Sequence, residues 1–417
     1  MKIGVIIPVH NRQDYLEQCL HSVAHSDIPD NAHFYLIDDC STEPVYMHLP
    51  LPNVQYFKYD KNQGIKKTLL WGFEHAIKEG CDILCNLDSD ALVTRDWLRR
   101  LLVAQSWHPE KIISGFDVDN PKNEIIKTHA DGTKIKKHAN GINMLFSVPV
   151  YQSMIKPALQ SEGNWDFNST AKAPAVICNV VQHIGLQSTL GHTGAEVSPY
   201  FYDLHLPDVT LFGVDAHDPN GLLRAAAISK RFVKFGGEKI ITERLFTGRE
   251  AYSKFCIKDM AKYIDTSHAL IIHPDGYIVN HYAWDNAFLD YDYIGATWAY
   301  KDNMNVGNGG FSLRSKKLLD IISKLELDNY HPEDHVICRD LRPILEKKHG
   351  IKFAPEDVAN RFSIEAYGSN AFIGGNKYNG AFGFHSYHID WKDSNIPPSI
   401  QPKRHASTHS KSALWRR

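Results

Sequence analysis

In the first part of the chain, short unbroken apolar runs alternate with stretches whose apolar residues recur at helical spacing. Lys2–Pro8 is an apolar run closed by a proline, the pattern of a strand buried on both faces. Asp14–Ala24 sets Tyr15, Leu16, Cys19, Leu20 and Val23 on one helical face. Phe34–Ile37, Val54–Tyr59 and Ile83–Leu87 read as further strands, with a second helix over Thr68–Lys78. This alternation predicts an α/β fold with a mostly parallel sheet covered by helices on both faces. Such sheets bind ligands beyond the carboxyl ends of their strands. Polar residues gather there: Asn11 after the first strand, Asp38 and Asp39 after the second, Asp88 and Asp90 after the fourth.

The rhythm breaks at Ser198–Pro207, a Pro/Tyr-rich stretch, and then restarts. Val209–Val214 reads as a strand, Gly221–Phe232 as a helix, and His268–His273 and Tyr293–Gly295 as later strands. A length of 417 residues exceeds what one hydrophobic core usually organises. The expected division is a first domain over 1–197, a linker over 198–206, a second α/β domain over 207–395 and a flexible tail over 396–417. No sequence repeat joins the halves; what recurs is the architecture.

Composition narrows the classes. Hydrophobic residues are 43% and charged residues 23%, ordinary for a globular protein, and the net charge of −2 offers no global field for nucleic acid or an anionic membrane. The tail is the exception, with Lys403, Arg404, Lys411, Arg416 and Arg417 and no acid, although its Pro, Ser and His content fits a flexible end. Seven cysteines, none in a Cys-x-x-Cys pair, fit a reducing, cytoplasmic setting. The opening apolar run is too short for a signal peptide, and no stretch approaches the roughly 20 apolar residues of a membrane span. Contact with a membrane surface stays open. The 23 histidines include no Cys/His cluster with zinc spacing.

The first candidate site is Asp88-Ser89-Asp90, two carboxylates at the end of the strand that closes with Asn86-Leu87. Such a pair can hold a hard divalent cation, which in turn can clamp a diphosphate. Alone the triplet is common in exposed turns. Around it stand Ile6-Ile7-Pro8-Val9-His10-Asn11-Arg12, Leu36-Ile37-Asp38-Asp39-Cys40-Ser41-Thr42, Asn62-Gln63-Gly64, the Ala139–Phe146 segment, Asn164-Trp165-Asp166 and Val181-Gln182-His183-Ile184-Gly185. In order and spacing this set resembles the family 2 glycosyltransferases of the GT-A fold over about residues 1–195.

The resemblance implies roles. Asp39 would accept from the nucleotide base, and Pro8, His10, Asn11 and Arg12 would wall the nucleotide. Asp90 would ligate Mn²⁺ or Mg²⁺, Asp88 would contact ribose or metal-bound water, and His183 would complete the metal or diphosphate shell. Asp166 would be the general base for an acceptor hydroxyl; its plainer role is a carboxylate at a helix N-terminus. The family often carries Arg-Asn in the helix after the Gly64 loop, where this chain has Leu69-Leu70, so either Lys66 or Lys67 is expected to supply charge near the diphosphate or the loop is built differently.

A second constellation follows the linker. His268–His273 runs into Pro274-Asp275-Gly276, followed by Asp290-Tyr291-Asp292-Tyr293-Ile294-Gly295-Ala296, Val306-Gly307-Asn308-Gly309-Gly310-Phe311-Ser312, Pro332-Glu333-Asp334 and Phe382-Gly383-Phe384-His385. Over about residues 207–390 this resembles an uncharacterised domain family (DUF5672) found beside glycosyltransferases, itself expected to be GT-A-like. The order acid, Gly-Gly loop, Glu-Asp, His is similar to several GT-A enzymes. It implies Asp275 and His385 as metal ligands, Asn308 and Gly309 as donor contacts, and Glu333 or Asp334 facing the acceptor. Only one aspartate stands where a full Asp-x-Asp has two. Asp290 and Asp292 are expected to be structural, at a strand edge.

The reading is two GT-A-like, Rossmann-like α/β domains in tandem. It implies a metal-dependent, inverting transferase using a nucleotide sugar, UDP-linked or similar, and acting on a glycan or glycolipid. The second half is a second enzyme or an acceptor-binding module. A macromolecular acceptor such as DNA or protein, contacted by the basic tail, is the further alternative; nucleic acid is not favoured.

Overall fold

Every residue of β1 (Ile3–Val9) is buried, as its unbroken apolar run requires, and side-chain alternation divides it between two cores. Val5 and Ile7 face α1 (Gln13–Ala24), whose Leu16 and Leu20 fill the same core as Leu98 and Leu101. Ile6 faces the other way, onto Leu69 and Phe73 of α2 (Ile65–Lys78). In this computed structural model all residues are described except 46–50, 119–122, 131, 172, 186–197, 199–200, 244, 246, 366–376, 393, 395 and 403–417. The basic side chains of the tail, Gly374-Gly375 and part of the Pro/Tyr-rich stretch lie outside the described residues.

The chain divides into two compact units, Met1–Asp203 with Pro397–Ser399, and Leu204–Ile396 with the described residues from Ile400. In the first, β1 pairs in parallel with β2 (Ala32–Asp38) and β4 (Ile83–Leu87), and β2 with β3 (Val54–Lys58). Next come β5 (Ala91–Val93), α3 (Trp97–Trp107), β6 (Ile113–Phe116), β7 (Ile125–Thr128), β8 (Lys134–Lys136) and β9 (Asn143–Ser147). The unit continues with the short helices α4 (Val148–Val150), α5 (Lys156–Gln160) and α6 (Trp165–Thr170), and ends on β10 (Ala175–His183). The sheet order is β3-β2-β1-β4-β9-β6-β10-β8-β7, with β5 paired to β10. Four strands on one side are parallel as expected; β9 then runs antiparallel to β4 and β6, so the sheet as a whole is mixed.

The second unit opens on β11 (Leu204–Val214), which begins before the expected Val209 and absorbs Pro207 in a register shift between Leu206 and Thr210. It continues through α7 (Pro219–Ser229), β12 (Val233–Ile241), α8 (Arg249–Lys258), β13 (His268–Ile272), β14 (Gly276–Ile278) and β15 (Tyr293–Ile294). Then follow β16 (Ser312–Ser315), α9 (Lys316–Ile322), α10 (Glu333–His335), α11 (Arg342–His349), α12 (Glu356–Phe362), β17 (Ser363–Glu365) and β18 (Gly383–His385). The larger sheet has the order β12-β11-β13-β16-β15, and β14-β18-β17 form a smaller one. The centres of the two units share one strand pattern. In each, a first strand lies between two parallel neighbours (β2 and β4, or β12 and β13), and an antiparallel strand follows on the far side (β9 or β16). Asp292 is buried and takes bonds from Ser315 Oγ and Lys352 N, a structural role as expected. All seven cysteines are free. Among the described residues no helix is long and apolar enough to cross a membrane.

Candidate functional sites

The carboxyl ends of β1, β2 and β4 bring the first set of residues together. Beyond β1 the chain turns through Asn11 and Arg12, both left-handed with φ of 55° and 60°, a conformation uncommon outside glycine. The turn is pinned to the loop after β2: Asn11 N donates to Ser41 Oγ at 2.8 Å, and Thr42 N to Asn11 Oδ1 at 2.9 Å. The His10 ring lies 2.8 Å from the Asp39 carbonyl. Asp39 accepts from Gln63 N at 2.6 Å and Gly64 N at 2.8 Å, which fastens the Gly64 loop to the end of β2. Lys66 is turned to the Ser161 carbonyl at 2.8 Å.

Arg12 reaches across to Asp90, with Nη1 2.7 Å from Oδ2, and His183 Nε2 lies 3.2 Å from the same oxygen. This pairing follows from the strands, because β5 and β10 are antiparallel and set His183 opposite Ala91. A Cβ on Gly185 would fall 2.2 Å from Asp90 Oδ2, so a side chain there would displace the carboxylate. Burial raises the Asp90 pKa, but His183 and then Arg12 outweigh it and hold the group below the usual carboxylate range. Asp88 goes the other way, pushed well up by burial and then by the negative charges of Asp90 and Asp166. Asp166, at the start of α6, accepts from Gly141 N at 3.1 Å and Phe167 N at 2.9 Å. The structure thus gathers Arg12, Asp88, Asp90, Asp166 and His183.

In the second unit, Asp275 follows β13 in a tight turn: His273 N bonds Gly276 O at 2.8 Å and Gly276 N bonds His273 O at 3.1 Å. β14 pairs antiparallel with β18 and sets His385 opposite Gly276, so His385 Nε2 lies 3.6 Å from Asp275 Oδ1. The residue after the acid thus faces the late histidine in both units, Ala91 with His183 and Gly276 with His385. The glycine loop closes over this corner: a Cβ on Gly310 would fall 2.1 Å from His385 Nε2, and one on Gly309 would fall 2.2 Å from Glu333 Oε1. Asn308 is left-handed at φ 65°, and its Oδ1 accepts from Gly310 N at 2.9 Å. Asp334 accepts from Gly309 N at 3.1 Å; burial and then the Glu333 charge push its pKa up. Glu333 pairs at 3.1 Å with Arg314, which is fully buried.

Sequence reasoning missed one pairing and three of these residues. Arg12 was assigned to the nucleotide wall, not to Asp90, and nothing local signals a partner 78 positions away. Gly185, Arg314 and His273 were likewise not singled out as site residues. Among the described residues, His273, Asp275 and His385 are the only group of three or more side chains whose ligand atoms all lie within 4.8 Å of one another. His21 in the last turn of α1 and His25 just past its end have ring centroids 4.2 Å apart with the rings tilted by 35°, and they belong to no such group.

Comparison with known proteins agrees with this division. Residues 4–161 match the family model of glycosyl transferase family 2, and residues 238–385 match that of a protein family of unknown function, DUF5672. The match to glycosyl transferase family 2 thus falls within the first unit, which is of the α/β class. Among solved structures, TarS 1–349 of S. aureus is 16% identical with a TM-score of 0.33, the match covering 43% of this chain and 58% of that one. GalNAc-T7, solved with UDP, GalNAc and Mn²⁺, is 16% identical with a TM-score of 0.36, covering 44% of this chain and 43% of that one. No curated protein sequence matches the chain.

Proposed function

We propose that the chain transfers a sugar from a nucleotide donor, UDP-linked or similar, to a glycan or glycolipid, with inversion at the first unit. The observation that carries the reading is the meeting of Arg12, Asp90 and His183 beyond the central strands, inside the segment that matches family 2 glycosyl transferases or next to it. Asp90 and His183 would hold Mn²⁺ or Mg²⁺, and the ion's charge would stabilise the departing diphosphate. Pro8, His10, Asn11 and Asp39 form the wall for base and ribose, with Gly64, Lys66 and Asp88 at its edge. Asp166 takes the proton of the acceptor hydroxyl as that oxygen bonds the anomeric carbon and the bond to the diphosphate breaks.

The second unit favours a tandem reading, because its acid, glycine loop, Glu-Asp pair and histidine meet at one corner. There Asp275 and His385 hold an ion, Asn308 and Gly309 meet a donor, and Glu333 or Asp334 faces an acceptor. Asp334 is the better candidate base, since Glu333 is engaged by Arg314. We place the domain limits at 1–197 and 207–395 and the protein in the cytoplasm, working on surface-polysaccharide precursors at or near a membrane.

The test is a panel of nucleotide sugars offered to the full chain with Mn²⁺, with Mg²⁺ or with chelator. Metal-dependent turnover that Asp90→Asn lowers at least ~100-fold, the scale of losing an electrostatic contact to the leaving group, is the expected result. Undiminished turnover by that variant, or by the wild type in excess chelator, overturns the first-site assignment.

A further inference from the structure

We propose that His273, Asp275 and His385 form a three-ligand centre for a borderline first-row divalent ion (Co²⁺ or Zn²⁺) in preference to Mg²⁺ or Ca²⁺, with His273 a full ligand. The inference deepens the second-site part of the reading above. Its test reads metal, not sugar transfer, so either can fail alone.

The backbone sets up the geometry. The turn closed between His273 and Gly276 places His273 and Asp275 two positions apart on one bend, and β18 brings His385 against it. Ser386 N bonds the Asp275 carbonyl at 2.8 Å and fixes the acid from the other side. The ligand atoms already lie within 4.8 Å of one another. Ligands ~2.0–2.2 Å from a common ion stand roughly 3–3.5 Å apart, so loading asks for closure of about an ångström.

Each imidazole has one nitrogen held from outside, which leaves the other for an ion. His385 Nδ1 is 3.3 Å from Glu365 Oε1, with Nε2 toward Asp275. His273 Nε2 is 2.7 Å from the Tyr252 hydroxyl, which leaves Nδ1. A carboxylate or hydroxyl behind a ligating histidine is the usual means of fixing its tautomer and ring. The centre also has access, since the side chains of Asp275 and His385 are 24% and 22% exposed. Gly310 keeps a side chain off His385 Nε2, and the Asn308 bound to Gly310 has a buried Nδ2 with no hydrogen-bond partner among the described residues. Three protein ligands with an open position match a catalytic ion site, and a donor beside it suits an oxygen-rich ligand such as a diphosphate.

The donor set decides the ion. Two imidazoles and one carboxylate suit ions that accept nitrogen, whereas Mg²⁺ and Ca²⁺ demand oxygen. The first unit differs: there Asp90 carries a guanidinium as well as an imidazole.

The experiment uses the full chain carrying Asp90→Asn, so that the first site is silent, titrated with Co²⁺ by visible absorption and with Mg²⁺ by calorimetry. We expect about one Co²⁺ per chain, bound at least ~10-fold more tightly than Mg²⁺. Adding His273→Ala, Asp275→Asn or His385→Ala should each weaken Co²⁺ at least ~10-fold with an unchanged circular dichroism spectrum. If His273→Ala does not fold, Tyr252→Phe serves in its place, with an expected ~10-fold loss. No Co²⁺ bound, equal affinity for Mg²⁺, or unchanged Co²⁺ affinity on removing His273 or the Tyr252 hydroxyl overturns the proposal.

Discussion

Arg12 shows how much a single residue's backbone can decide. In the left-handed region at φ 60°, next to a left-handed Asn11, it lies where few non-glycine residues sit, and strain of this kind collects at functional sites. The result is a guanidinium held on Asp90 at 2.7 Å. Asp166 has a different place. Its carboxylate is held by Gly141 N and Phe167 N, and its charge is felt at Asp88, but it pairs with no cation among the described residues. A base for the acceptor should affect chemistry and spare donor binding. Asp166→Asn is therefore expected to lower kcat by about 10²–10⁴-fold while the donor Kd, read by calorimetry with UDP-sugar, moves less than about threefold. A collapse of donor affinity would assign the residue to the nucleotide pocket.

At the scale of elements, the loop after β2 owes its shape to a buried acid that does not touch the site. Asp38 accepts from Ser41 N at 2.7 Å and Tyr56 OH at 2.8 Å, with Lys58 at 3.3 Å. Burial raises its pKa, yet these partners outweigh it and the net shift is downward. A carboxylate whose folded pKa is depressed contributes stability above its unfolded value, near 3.9, and that contribution is lost as pH falls through the lower folded value. Tyr56→Phe should cost about 1.5 kcal/mol at pH 7, the low end for a bond to a charged group because Tyr56 is partly exposed. It should also shrink the acid-induced loss, both read from urea midpoints; an equal loss in variant and wild type would remove Asp38 from this role. The same scale explains what was legible. β1 and β4 are buried at every position and announce themselves as apolar runs, and the acids at their ends follow. β16 is Ser312-Leu313-Arg314-Ser315, buried throughout yet mostly polar, because Arg314 is matched by Glu333 from a distant helix. β12 lies at a sheet edge, and Gly236-Gly237-Glu238-Lys239 in its middle interrupts the apolar period between Val233, Phe235 and Ile241. Pairing across long sequence separations is not written in any local pattern: the resemblance alone put Asp275 with His385, which β18 makes neighbours, and it did not put Arg12 with Asp90.

At the scale of the whole molecule, the question is whether two similar corners do two similar jobs. Each unit has its own cores on both faces of its sheet, so a substitution at one corner leaves the packing of the other intact. The corners also differ in kind. At Asp90 a guanidinium competes for the carboxylate, and at Asp275 two imidazoles stand ready. Two transferases on one chain would extend a glycan by two different steps, each blocked separately. With the acceptor and the donors from the panel in hand, Asp90→Asn should stop one product and Asp275→Asn the other. The double variant should make neither, as mass spectrometry of the glycan would read. Because the sites are independent in this scheme, the loss of each product in the double variant should equal its loss in the corresponding single variant. If Asp90→Asn abolishes every product and Asp275→Asn none, the second unit binds instead of transferring. If Asp275→Asn only raises the acceptor KM while kcat holds, its ion centre serves to hold the growing chain for the first unit.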